Sequence, residues 1–407
     1  MRHHGTDAHH YGTDTMSAHL YGPDFFRDPY ATYAHLRSAA PVHPLPPRGD
    51  GPPSFLVTGY AAARAALADP RLSKDTARYF ADRPSDRRLH PALAHTMLAT
   101  DPPDHTRLRR LVAPAFTTGA AARLRPYVDE LTAELTRDWR PGDTVDLVAG
   151  LAGPLPVAVI CHLLGVPEAD RAQLRAWSDQ LFEAGAPDRI DAASYEVAGY
   201  FGRLVAAKRA APDESLLSAL IAARDGADRL GEDELVSLAV LILVAGHETT
   251  TNLIGNAVSA LLAHPDAAAR LRDRPELIPA ALDELLRYDS PVSVATFRYA
   301  TEPLTLAGTD IPAGAPVLVS PGAANRDPAR YPDPDALDLD RDAAGHLAFG
   351  HGIHRCLGAP LARVEAATVL TTLLTRFPRL RLAVPAADLR HRHTRLMRGP
   401  AALPVVL

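Results

Sequence analysis

Cysteine is scarce: the 407-residue chain carries only Cys161 and Cys356. Two thiols cannot staple a chain of this length, so a disulfide framework is excluded and one cysteine is available for chemistry. Lysine is scarcer than arginine by an unusual margin, with Lys74 and Lys208 the only two among 43 basic side chains. This reads as the codon usage of a GC-rich genome. No basic block occurs, and 43 Lys+Arg against 48 Asp+Glu leave a formal charge of −5. With a pI near 6.4, a nucleic-acid partner has no electrostatic support. Long hydrophobic runs are missing too: the most apolar stretch, Leu235 to Gly246, covers twelve positions, whereas a membrane crossing needs about 20. Residues 1–22 lack the apolar segment of a secretory signal. They are expected to form a flexible polar tail whose His3, His4, His9 and His10 have no Cys or carboxylate cluster to complete a metal site. No membrane and a cytoplasmic location are the corresponding expectations.

What is present is the material of a large core, with 47% hydrophobic and 22% charged residues. Tyr60–Ala68 reads as helix closed by Asp69-Pro70, after a candidate strand at 53–58. Residues 73–100, interrupted by Pro84 and Pro91, read as a long loop with a short helix, a length usually kept for function. From Asp104 the pattern is helical over 104–115, 119–138, 151–164, 168–183, 191–210, 213–224, 232–263, 266–272 and 276–288. Short extended segments follow at 294–299 and 304–306, then a Pro/Asp-rich meander over 320–350 and a last helix over 359–377. No repeat or linker divides the chain. Residues 23–407 therefore read as a single, mainly α domain with small β-sheets.

Three segments carry chemistry. Phe349-Gly350-His351-Gly352-Ile353-His354-Arg355-Cys356-Leu357-Gly358 leads directly into a helix. A cysteine before a helix N-terminus meets free backbone N–H groups and the positive end of the dipole, both of which favour a thiolate. The glycines let the backbone pass close to a flat ligand. A dinucleotide fingerprint is not completed, because Arg355 stands where a third glycine is needed. Ala245-Gly246-His247-Glu248-Thr249-Thr250 interrupts the apolar 232–263 helix, and Glu and Thr there carry a desolvation cost unless a site uses them. Thr249 can bond back to the carbonyl of Ala245, and Gly246 removes a side chain that would block a ligand. His247-Glu248 begins like a zincin motif, but Thr251 stands where the second His belongs. Glu284 and Arg287 share one helix face at i and i+3.

These segments resemble the cytochrome P-450 family over most of the chain, from about Asp28 to Leu407. Phe349, Gly352, Cys356 and Gly358 match the heme-loop pattern Phe-x-x-Gly-x-x-x-Cys-x-Gly. Ala245 to Thr249 match the oxygen-activation motif, and Glu284 and Arg287 match Glu-x-x-Arg. The resemblance implies a triangular-prism fold with heme b (iron protoporphyrin IX) between the long central helix and the cysteine loop. It assigns Cys356 as axial iron ligand, with Phe349, Gly350, Gly358, Ala245 and Gly246 around the cofactor. His105, Arg109, Arg298 and His354 match propionate-binding positions. Glu248 and Thr249 are implied as the acid-alcohol proton relay, and His247 has no catalytic role. Glu284, Arg287 and Arg330 are expected to form a buried structural network.

The implied reaction inserts one atom of O2 into an apolar small molecule, by hydroxylation or epoxidation. The substrate is expected to be a natural-product intermediate such as a polyketide, macrolide, terpenoid, steroid or peptide. Oxidative coupling or cyclisation by the same chemistry is the alternative, with a heme sensor as a non-enzymatic one. No stretch is left for a reductase module, so electrons from NAD(P)H are expected through ferredoxin and ferredoxin reductase, docked by some of Arg107, Arg110, Arg355 and Arg363. Leu241, Val244, Ala245, Val292, Val294, Ala295, Leu396 and Met397, with parts of 73–100 and 178–200, are the implied pocket walls.

Overall fold

A computed structural model describes residues 20, 22–47, 52–81, 83, 88–181, 187–225, 228–392, 394 and 396–407. The four N-terminal histidines and Pro84 lie outside the described residues, as does 182–186 of the expected pocket segment. Of the proposed tail only Leu20 and Gly22 are described, and Leu20 is buried with Phe25, Tyr33 and Leu36 rather than solvated.

The organising element is the central helix, Glu232–Ala263. Its start is fixed by Glu234, whose carboxylate accepts the Gly231 N–H at 2.9 Å, and by two further acids in the first turn that complement the helix dipole. It stops at His264, where Pro265 cannot extend it. By length and apolarity the helix could cross a membrane, but 72% of its most apolar window is buried inside the protein. Helices Pro154–Leu164, Pro187–Ala210, Ile278–Tyr288 and Ala359–Arg376 pack around it.

The sheets lie beside this bundle. Val42–Leu45 pairs antiparallel with Ser54–Val57 in the register Val42 to Val57, and Val317–Val319 adds in parallel. Its apolar side packs on Ala62, Ala63, Ala66 and Leu67 of helix Tyr60–Ala68. A second sheet joins Arg381–Leu382, Pro404–Val406 and Thr144–Asp146.

Two expectations need correction. The stretch 73–100 contains two short helices, Thr76–Phe80 and Pro91–Ala94. Each is started by a local cap: the Asp75 carboxylate accepts Arg78 N–H at 2.9 Å, and His90 Nδ1 accepts Ala92 N–H at 3.1 Å. Conversely, of the extended segment 294–299 only Tyr299 enters a strand, Tyr299–Ala300, which pairs with Leu72–Ser73.

Candidate active site

The cysteine loop is a tight structure held by its own backbone. Cys356 N–H donates to Phe349 O at 2.8 Å, and Gly350 N–H to Leu347 O at 2.8 Å. Gly352 has φ +74°, and a Cβ there would lie 2.8 Å from the carbonyl oxygen of Leu67. Both the left-handed backbone and the close approach to helix Tyr60–Ala68 demand glycine. Gly358 is under neither constraint, since a Cβ there would meet only Cys356 Sγ, at 3.8 Å.

Cys356 is exposed while Cys161 is buried in the core. The protein mass around Cys356 still pushes its thiol up, opposed by hydrogen bonds from the backbone at Gly358 and Ala359 and by the Arg109 and Arg355 guanidiniums. Cys161 has no such hydrogen bonds, and burial pushes it up to about 12.

Beside the loop lies a group of cationic and imidazole side chains. The His105 and His354 ring centres are 4.1 Å apart, and His105 Nδ1 and His354 Nε2 are buried with no hydrogen-bond partner among the described residues. Arg109 donates to Arg355 O at 2.7 Å, and buried Arg298 donates to Thr296 O at 3.1 Å. Burial, followed by Lys74, His105, Arg298 and Arg109, depresses His354 to about 2. Burial lowers Arg298 to about 10 against the attraction of Asp101. Lys74, 2% exposed, donates to Thr296 Oγ1 and is the residue that sequence reasoning missed. Its only signal was a lysine kept in an arginine-rich chain. Orphaned imidazole nitrogens and crowded cations are the signature of a site built for anionic groups.

On the central helix, Leu241, Ala245 and Thr249 follow one another at i, i+4 and i+8, and Ala245 is exposed in an otherwise buried stretch. Thr249 Oγ1 donates to Ala245 O at 2.6 Å. Gly246 has a different purpose from the one expected. A Cβ there would lie 2.7 Å from Ile160 Cδ1, so the glycine permits close crossing with helix Pro154–Leu164; Ala245 is the small residue on the open side.

Glu248 is fully buried. Its Oε1 accepts from Arg392 Nη1 at 2.7 Å and Asn252 Nδ2 at 3.3 Å, and its Oε2 has no partner among the described residues. Burial raises its pKa, and Arg392 opposes this most strongly. His247 Nδ1 pairs with Ser178 Oγ at 3.2 Å, and burial depresses the imidazole to about 3. Ligand atoms of Asp179, His247 and Glu248 lie within 4.8 Å of one another. Arg175 and Arg392 already balance the two carboxylates, so a divalent cation would leave excess positive charge in a buried place.

The Glu284 and Arg287 pair is saturated. Arg287 donates to both Glu284 oxygens at 2.6 and 2.8 Å and to the carbonyls of Asn325, Pro334 and Ala336. The third member is Arg341, whose Nε is 3.3 Å from Glu284 Oε1. Arg330, expected in that role, instead donates to Ala344 O at 3.1 Å and lies over the Tyr331 ring. The meander doubles back, so the arginine eleven positions later in the chain reaches the carboxylate.

Of the expected docking arginines, Arg107 is ion-paired with Glu234 and Arg363 with Asp283, whereas Arg110 and Arg355 are exposed. Arg355 and Arg363 join Arg125, Cys356 and Leu357 around a cleft of about 530 Å³. The expected pocket residues fall into two groups. Val292 bridges to Met397, and Ser293 N–H donates to Leu396 O at 2.8 Å. Ala295 N–H bonds Val319 O at 2.8 Å. Leu241, Val244 and Ala245 form the separate stripe on the central helix.

A mainly helical protein with an exposed cysteine at a helix N-terminus, a cationic cluster beside it and a polar break in its longest helix is the class defined so far. Residues 201–383 match the family model described as Cytochrome P450. The chain is 48% identical to the cytochrome P450 monooxygenase PikC of Streptomyces venezuelae, over 94% of this chain and 92% of that one. It is 45% identical to the mycinamicin IV hydroxylase/epoxidase of Micromonospora griseorubida, over 92% and 94%. The tirandamycin C-bound structure of the P450 monooxygenase TamI superposes with a TM-score of 0.88 at 46% identity, covering 95% and 99%. The chain therefore belongs to the cytochrome P450 family and is a monooxygenase of it, and the family implies heme. The residues present fit that group: an accessible thiol facing amide donors suits an iron ligand, and unpartnered His105 and His354 with Lys74 and Arg298 suit its propionates.

Proposed function

We propose that the chain binds heme b through Cys356 and oxygenates an apolar natural-product intermediate of the polyketide or macrolide type. The single observation that carries the cofactor reading is Cys356, exposed at the start of helix Ala359–Arg376 with backbone donors at its sulfur. His105, Lys74, Arg109, Arg298 and His354 would hold the propionates, and Phe349, Gly350 and Gly358 shape the loop below. When bound, heme supplies the centre at which O2 is activated.

The protein's own part is proton handling and positioning. Glu248 can hold a proton because burial raises its pKa, and Thr249 presents a hydroxyl on the open side of the helix beside Ala245. Relatives acting on mycinamicin IV and binding tirandamycin C support a macrolide-like substrate. Leu241, Val244, Val292, Val294, Ala295, Leu396 and Met397 supply apolar walls. Electrons are supplied from NAD(P)H by a ferredoxin and its reductase in the cytoplasm, and Arg110 and Arg355 are the docking arginines that remain exposed. Residues 23–407 act as one heme domain.

Cys356→Ser should abolish the thiolate-type spectrum of the reduced CO complex; a retained spectrum would refute the ligand. Mycinamicin IV and tirandamycin C, titrated as probes, should shift the heme spin state, and silence from both would remove the macrolide-like assignment. Thr249→Ala should divert electrons to hydrogen peroxide at unchanged heme content.

A further inference from the structure

Residues 390–392 and 399–401 form the paired arms of a hairpin, held by the His391 to Pro400 bridge, by Arg392 N–H to Gly399 O at 3.0 Å and by Ala401 N–H to Arg390 O at 2.8 Å. It lies along the central helix. A Cβ on Gly399 would fall 2.2 Å from Asn252 Oδ1, and one on Gly255 would fall 2.9 Å from Pro400 Cγ. Asn256 Nδ2 donates to Arg398 O at 3.0 Å. One side chain of this hairpin, Arg392, reaches Glu248 at 2.7 Å. Toward its tip, exposed Leu396 and its neighbour Met397 are tied to Ser293 and Val292.

We propose that Arg392 is a positioning residue for Glu248, through which the hairpin that meets Val292 and Ser293 sets the orientation of the buried carboxylate. This rests on the reading of Glu248 as proton donor. Among the described residues, the charged or titratable groups facing Glu248 are Arg392 from the hairpin, His247 from its own helix, and Asp179 and Arg175 from helix Arg171–Leu181. Arg392 and Asn252 both take Oε1, so they decide that Oε2 is the oxygen left without a partner among the described residues. The neutral Asn252 amide cannot replace the charge, because a charge-assisted bond is roughly twice as strong as a neutral one. Arg392 also opposes the upward push of burial on Glu248, so its loss favours the protonated, rotatable carboxyl.

The test uses purified heme-loaded wild type, Arg392→Gln, Arg392→Lys and Glu248→Gln. The Glu248 carboxyl stretch is identified in the infrared spectrum as the band lost in Glu248→Gln, and is titrated with pH. In Arg392→Gln it should titrate about one pH unit or more above wild type, and Arg392→Lys should restore most of the difference. With NADPH, a ferredoxin and its reductase, Arg392→Gln should release several-fold more of its electrons as peroxide with an unaltered reduced-CO spectrum. A band that titrates at the wild-type pH in Arg392→Gln overturns the proposal. If Arg392→Gln does not retain heme, Arg392→Lys decides through the frequency of the Glu248 band: a frequency displaced from wild type supports the proposal, because an ammonium cannot reproduce the guanidinium grip, and a band identical to wild type in frequency and titration overturns it. A shifted band together with unchanged peroxide in Glu248→Gln would instead refute the proton-donor reading and leave the Arg392 pairing standing.

Discussion

Glu284 and Glu248 are both buried carboxylates on helices that pack against each other, and each faces an arginine. Their surroundings differ in saturation. Glu284 accepts from Arg287 twice, from Arg341 and from the Asp338 N–H. Glu248 has one oxygen shared by Arg392 and Asn252 and one with no partner. A saturated acid is held in one rotamer and serves the fold. A half-saturated one keeps a site where a proton can arrive and leave, at the cost of desolvation. The difference separates structural polar residues from working ones within a single core.

The largest effect should come from breaking the saturated side. Arg287→Ala takes both bidentate bonds from buried Glu284 and leaves it only Arg341 and the Asp338 N–H, and should cost about 3–5 kcal/mol in urea unfolding; a loss below about 1 kcal/mol would show the network to be dispensable. A third buried acid extends the comparison. Glu365 has an unpartnered oxygen and is raised by burial to about 8. Its folded pKa exceeds its unfolded one, so the stability it contributes is full below about pH 4.5 and is lost as pH rises through about 8. Glu365→Gln should therefore flatten the alkaline fall of Tm while leaving acid stability unchanged.

Arg341→Ala, which removes a charged donor from Glu284, should cost about 1.5–3 kcal/mol. Gly246→Ala, which drives a Cβ into Ile160 two residues before Glu248, should cost about 1–3 kcal/mol and loosen the crossing that desolvates the acid. Arg330→Ala should have the smallest effect, about 0.5–1 kcal/mol for a partly exposed contact with an aromatic face. A reversed order of the two arginines would return Arg330 to the network.

Much of this was legible in the chain. The 232–263 helix was readable to the residue because an acidic first turn, an apolar run and Pro265 mark its limits. Cys356, Thr249 and the Glu284 to Arg287 pair stood out because their chemistry is written at short spacing. Thr249 meets the carbonyl of Ala245 as four-residue spacing requires, and Cys161, which follows the apolar run 157–160, is a buried core residue. The reading failed where partners come from far along the chain. Arg330 and Arg341 are equivalent candidates until the meander turns back on Glu284, and Gly246 looks like ligand space until Ile160 is seen against it. Lys74 and Arg392 carry no local pattern at all.

The sequence by itself determined which groups are reactive and which elements hold them, because helix caps, apolar period and short motifs act over a few residues. Only the tertiary structure decided which of those groups are left unpaired. Saturation of a buried polar atom depends on every element packed around it, and the partners of Glu248, His354 and Glu284 come from helices, loops and a hairpin that only folding brings together.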